Sequence, residues 1–125
     1  MRSLLISCHK YKILAGVIVR LTDIEQLILL AVVRLGPEAY GVGIQREIEE
    51  RTGQDLQFGS IYRALRRLEE QRLVIGTLGE PTSERGGRRK KHFRLTAAGE
   101  RALRRSIDGL QAMADGVALR GLGRP

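Results

Sequence analysis

The spacing of apolar residues changes twice along this chain, from a helical repeat to an alternating one near residue 73 and back to a helical one at Thr96. Those two changes limit the fold more than any composition does, because a 3.6-residue period and a 2-residue period cannot be satisfied by the same backbone. In the first helical stretch Ile24, Leu27, Ile28, Ala31, Val32 and Leu35 recur at i, i+3, i+4, i+7, i+8 and i+11 and share one face. Thr22, with Glu25 three residues on, has the form of a capping box, and Gly36-Pro37 closes the helix. A second helix is expected over residues 40–51, with Val42, Ile44 and Ile48 inside and Glu47, Glu49 and Glu50 in water, ended by Thr52-Gly53. Its acidic face argues against insertion into a groove of nucleic acid. A third helix is expected over 60–72, capped by Ser60, with Ile61, Leu65 and Leu68 inward and Ser60, Arg63 and Arg67 outward.

Alternation then predicts a strand at 73–78, a Pro/Ser/Gly-rich tip at 79–90 and a returning strand at 91–95 that turns Phe93 and Leu95 inward and His92 and Arg94 outward. Thr96 caps a last helix in which Leu103, Ile107, Leu110, Ala114 and Val117 follow a spacing of 4, 3, 4, 3, a short heptad seam weakened by Gly109 and Gly116. The fold class is therefore mainly α with a small β-hairpin, in the order three helices, two strands, one helix.

Charge is distributed as unevenly as the period. The chain carries 22 Lys and Arg against 14 Asp and Glu, a net charge of +8. Between Arg85 and Arg105 there are nine basic residues and only Glu100 on the acidic side, so that this stretch alone supplies the excess and the remainder balances. A charge concentrated in this way is a directed surface, and phosphate backbones are its commonest partner. Arg88, Arg89, Lys90 and Lys91, held between two strands, are the candidate phosphate contacts of that surface.

Several other classes lose support. Aromatics are 4% of the chain with no Trp, too few to build a platform that stacks successive bases of a single strand. Cys8 is the sole cysteine, which leaves no internal disulfide or Cys-x-x-Cys site and fits a reducing cytoplasm. Its neighbour His9 adds at most a second ligand, with no geometry fixed between adjacent residues. The apolar runs near the N-terminus fall short of the roughly 20 residues that span a bilayer. No carboxylate stands at a spacing that would orient His92 as a base, and GGRR lacks the Lys-Ser/Thr of a phosphate-cradling loop. An enzyme is not expected, nor a metal or cofactor.

Three helices followed by a basic hairpin is the order of a winged helix-turn-helix, whose third helix enters the major groove while the wing grips flanking backbone. The stretches LTDIEQLILLAVVRLGPEAYGVGIQREIEERTG, GSIYRALRRLEEQRLV and GGRRKKHFRLTAAGERAL resemble the PadR family of bacterial transcriptional regulators over about residues 21–105. That resemblance implies a homodimeric repressor on a two-fold symmetric operator in double-stranded DNA, paired through a C-terminal helix and often released by a small-molecule effector. It places Ser60, Tyr62 and Arg63 on the recognition-helix motif and Arg88 to Lys91 on the wing; the helical period adds Arg67. Two departures stand out. Arg72 occupies the place of a usual helix-ending Gly, where a positive φ would cost about 1 kcal/mol or more, and His92 occupies that of a usual Tyr.

The expected organisation is an extension at 1–20, a DNA-binding unit at 21–95, a dimerisation helix at 96–120 and a tail at 121–125. The competing expectation is a non-specific basic protein associated with RNA or the ribosome, which size and charge would serve equally well.

Overall fold

The computed structural model describes residues 20–79 and 90–119. The first helix, α1 (Asp23–Leu35), opens on the expected capping box. Glu25 N donates to Thr22 Oγ1 at 3.1 Å, and Thr22 N donates to Glu25 Oε1 at 3.0 Å. Gly36 at φ 55° ends it and starts a single 3-10 turn, Gly36–Glu38. Helix α2 (Gly41–Thr52) follows and stops at Gly53, whose φ of 76° only glycine adopts freely.

Helix α3 (Phe58–Glu70) starts earlier than the sequence suggests. Gln57, not Ser60, is its N-cap, because the Gln57 carbonyl accepts both Ser60 N at 3.0 Å and Ile61 N at 3.1 Å. Ser60 therefore lies inside the first turn. At the other end Arg72 stands at φ 62°, as its place in the motif implies. Arg72 N donates to Glu69 O and Leu73 N to Leu68 O, both at 2.9 Å, the paired bonds of a Schellman ending.

Strands β1 (Val74–Leu78) and β2 (Lys91–Leu95) pair antiparallel, from Val74 opposite Leu95 to Leu78 opposite Lys91. One further pairing has no periodic signal in the sequence. Phe93 N donates to Ala39 O at 3.0 Å and Tyr40 bridges His92, so the turn after α1 lines the free edge of β2. The last helix, α4 (Ala97–Ala114), is capped as expected, with Gly99 N donating to Thr96 Oγ1 at 3.0 Å. Thr96 also donates to Arg72 O at 2.8 Å, which ties the start of α4 to the end of α3. Gly99 presses its Cα against the Leu73 carbonyl, and any Cβ there would overlap that oxygen.

One apolar core joins these elements: Ile28 and Leu29 of α1, Ile44 of α2, Ile61, Leu65 and Leu68 of α3, then Leu73, Val74 and Phe93 are all fully buried. Val42, expected inside, is exposed. At about 100° per residue it stands about 160° around α2 from Ile44, so α2 buries Gly41, Ile44 and Ile48 instead. The heptad seam is also divided. Leu103 is buried and Ile107 half-buried against the core of their own chain, whereas Leu110 and Ala114 face solvent. Val117 lies beyond α4, which ends at Ala114 before Gly116 turns at φ 78°. Among the described residues no helix is long and apolar enough to cross a membrane.

Candidate nucleic-acid interface

Because α3 buries Ile61, Ala64, Leu65 and Leu68 completely, its remaining positions form an outward face set by the helical period. Arg63 is on that face, and its Nη2 donates to Ser60 Oγ at 3.4 Å, so two of the expected contact residues are brought together on the first turns of the helix. Arg66 is equally exposed and was missed by the sequence reading. A count of about 100° per residue from the buried row puts it nearer the middle of the outward face than Arg67. Neither Arg63 nor Arg66 takes part in any ion pair among the described residues.

Arg67 has a different assignment. Its Nε donates to Glu25 Oε2 at 3.1 Å, and the Glu25 side chain is almost wholly enclosed. One carboxylate thus caps α1 with one oxygen and holds the flank of α3 with the other. Arg67 is half-exposed, and its guanidinium is engaged by Glu25 of α1 rather than left unpaired.

Tyr62 occupies the opposite flank, with its hydroxyl set against Gly41, the first residue of α2. A Cβ at Gly41 would overlap that hydroxyl, so a glycine is what lets the ring lie down between the two helices. The ring remains 47% exposed and stands 5.8 Å from that of Phe58.

At the base of the wing Lys91 crosses β1 at Gly76, where its Cε lies 2.5 Å from the place a Cβ would take, and its Nζ donates to Glu69 Oε1 at 3.1 Å. This ion pair fastens the returning strand to the last turn of α3. Lys90 Nζ stands 5.3 Å from the centre of the Tyr40 ring. His92, where the motif usually has a Tyr, lies edge-on to Tyr40 with ring centres 5.7 Å apart. Its Nε2 is 3.1 Å from Gly36 O, so it serves to hold the turn between α1 and α2. Arg88 and Arg89, expected from the sequence at the tip, lie outside the described residues, as do Cys8 and His9.

The charges of α2 are arranged otherwise. Glu47 accepts from Arg51 Nε at 2.6 Å and from Arg34 Nε at 3.1 Å, and these hydrogen bonds, that of Arg51 foremost, hold its carboxyl below the ordinary carboxylate value. The far end of α4 presents apolar side chains without cover: Leu110 is 60% and Met113 79% exposed. Among the described residues no three His, Cys, Asp or Glu side chains gather in a way that could hold a metal ion.

Comparison with known proteins meets this geometry. The profile of the transcriptional regulator PadR-like family matches residues 29–105, more than half of the chain. The chain belongs to that family. Solved structures agree with the assignment. A PadR family transcription regulator from Clostridium difficile superposes with a TM-score of 0.56 at 26% identity, over 76% of this chain and 100% of that one. A PadR family regulator from Eggerthella lenta gives 0.58 at 27% identity, over 73% and 77%. A candidate transcriptional regulator from Thermoplasma acidophilum gives 0.60 at 28%, over 73% and 82%. The PadR-like winged helix-turn-helix is thus the fold of this chain. A curated relative, an uncharacterized 37.1 kDa protein in transposon TN4556 of Streptomyces fradiae, is 35% identical over 96 residues, which are 77% of this chain but only 26% of that protein.

Proposed function

We propose that this PadR-like protein is a sequence-specific repressor that binds an inverted-repeat operator in double-stranded DNA as a symmetric homodimer. The observation that carries this reading is the outward face of α3: Arg63 and Arg66 stand there in solvent, free of ion pairs with described carboxylates, on a helix whose other face is wholly buried. Arginines on the fold's recognition helix that pair with none of the described carboxylates are suited to guanine edges and to phosphates alike. Lys91, fastened to Glu69 of the same helix, starts the wing beside it, and Lys90 precedes it. Arg88 and Arg89 extend the cationic wing in sequence. Arg67 is a flanking residue in this scheme, held by Glu25 and adding to the positive field.

Pairing of two subunits is supported by the uncovered end of α4. Leu110, Met113 and Ala114 expose apolar surface that a second copy could bury, whereas Leu103 and Ile107 belong to the core of their own subunit. A two-fold dimer then sets two half-sites about 10 bp apart or a multiple of it.

Selection of bound duplexes from a random pool at stated salt tests the reading. Recovery of an inverted repeat is expected, with sedimentation showing a dimer. A structured RNA that displaces the protein from every duplex, with no sequence preferred more than about tenfold over random, would mean a non-specific basic protein instead.

A further inference from the structure

Helix α3 opens on a residue that the core does not use. Phe58 is its first residue, 39% exposed, and its ring lies 5.8 Å from that of Tyr62 one turn on, inclined at 35°. Tyr62 is in turn fixed by its hydroxyl against Gly41, so the ring beside Phe58 has a set position. On the adjacent row Arg63 reaches back to Ser60 at 3.4 Å. The first two turns of α3 therefore carry an exposed aromatic pair as well as a guanidinium group.

A phenyl ring has no donor or acceptor, so it can neither grip a phosphate nor read a hydrogen-bonding base edge. In the major groove of a duplex one apolar group is distinctive, the 5-methyl of thymine. The first residues of a recognition helix are the ones that approach base edges, which is where Phe58 stands. The exposed Arg63 and Arg66 of the same helix favour a polyanion over an apolar protein face as the partner. Resting on the DNA-binding reading above, the geometry points to Phe58 as a specificity-determining residue that packs on a thymine 5-methyl group in each operator half-site, with Tyr62 as the positioning residue behind it.

Uracil in place of thymine removes the methyl and leaves base pairing intact, so the selected operator can be scanned one thymine at a time. With the wild-type protein, one or two positions per half-site should lose about threefold to fivefold in affinity, the worth of one methyl group removed from water. With Phe58→Ala the same replacements should have no effect, and Phe58→Leu should keep part of the discrimination. A second measurement needs no variant: 5-iodouracil at the sensitive position, irradiated in the wild-type complex, should crosslink to Phe58. The inference is overturned if an operator is bound specifically yet no thymine is sensitive, if Phe58→Ala keeps the full uracil effect, or if the crosslink maps elsewhere. Failure to bind any duplex above random would remove the DNA-binding reading and this inference together, which distinguishes the two failures.

Discussion

Helices α2 and α3 are 12 and 13 residues long, adjacent in the chain, and buried in the same core, yet they treat their charges in opposite ways. On α2 the acidic Glu47 gathers Arg34 from α1 and Arg51 from its own next turn, and the exposed charges that remain are mostly acidic, Glu49 and Glu50 beside Arg46. On α3 Arg63 and Arg66 stand without such partners among the described residues, and an aromatic pair lies exposed beside them. The ends of the two helices differ as well. Helix α2 stops at a glycine that takes the left-handed conformation without strain, and α3 stops at an arginine forced into it. On the function proposed above, what separates α2 as a support from α3 as a reader is thus neither length nor burial but which charges are left over.

The inner faces should prove equivalent, and this is the largest effect. Ile48→Ala in α2 and Leu65→Ala in α3 each remove a buried side chain, and each should cost about 2–5 kcal/mol of stability in denaturant unfolding. A much smaller loss from one of them would show that the two helices are not held by a common core. The outer faces should then separate the helices. Arg63→Ala should weaken operator binding by about 1–3 kcal/mol at one base position if it reads an edge, and leave the unfolding midpoint where it was. Arg51→Ala on α2 should leave DNA affinity unchanged. Lys90→Ala, at the wing, should weaken all sequences alike and flatten the logarithmic salt dependence by about one unit. Equal, sequence-blind losses from Arg63 and Lys90 would erase the distinction between reading and gripping.

The helix ends give a smaller contrast of opposite sign. Gly53→Ala places a Cβ on a backbone at φ 76° and should cost about 1 kcal/mol. Arg72→Gly removes a Cβ at φ 62° and should gain up to about 1 kcal/mol, less what glycine's extra freedom in the unfolded chain takes back. Thermal unfolding of the two variants checks both signs. A loss from Arg72→Gly would mean that the arginine side chain supports the joint with Thr96 beyond its backbone carbonyl, which already accepts from the Thr96 hydroxyl at 2.8 Å.

What could be read in advance follows the range of the interactions. Thr22 with Glu25, Thr96 with Gly99 and the strained Arg72 all depend on residues a few positions apart, and the hairpin, though its partners lie 13 to 21 apart, is announced by the local alternation of each strand. The pairing of Arg67 with Glu25 joins residues 42 apart, so the outward row looked uniform until the fold brought α1 beside it. The edge pairing of Ala39 with Phe93 is hidden for the same reason, since residues 39 and 40 have no strand periodicity of their own. The heptad seam read as one interface because spacing cannot say which partner a face meets: Leu103 and Ile107 meet their own core, while Leu110 does not. Arg66 was legible and overlooked, for the helical count alone places it outward. The signal for Phe58 was its aromatic ring just before Gly59 and Ser60, which gains meaning only once Gln57 is known to start the helix.

The smallest expected effect tests the other side of the comparison, that the charges of α2 act on stability alone. Hydrogen bonds from Arg51, then Arg34, hold the Glu47 carboxyl below its ordinary value of 4.5. A carboxyl whose value is depressed by folding contributes stability that is fully present above the unfolded value and fades as pH falls through the lower, folded one. Glu47→Gln should therefore unfold slightly earlier than wild type near neutral pH. The gap between the two proteins should close as the pH falls through the carboxylate range. Salt should close it too, because the three side chains lie at the surface and are screened. A gap that widened toward acid would reverse the sign of the linkage, and a loss of operator affinity in Glu47→Gln at neutral pH would show that α2 takes part in binding after all.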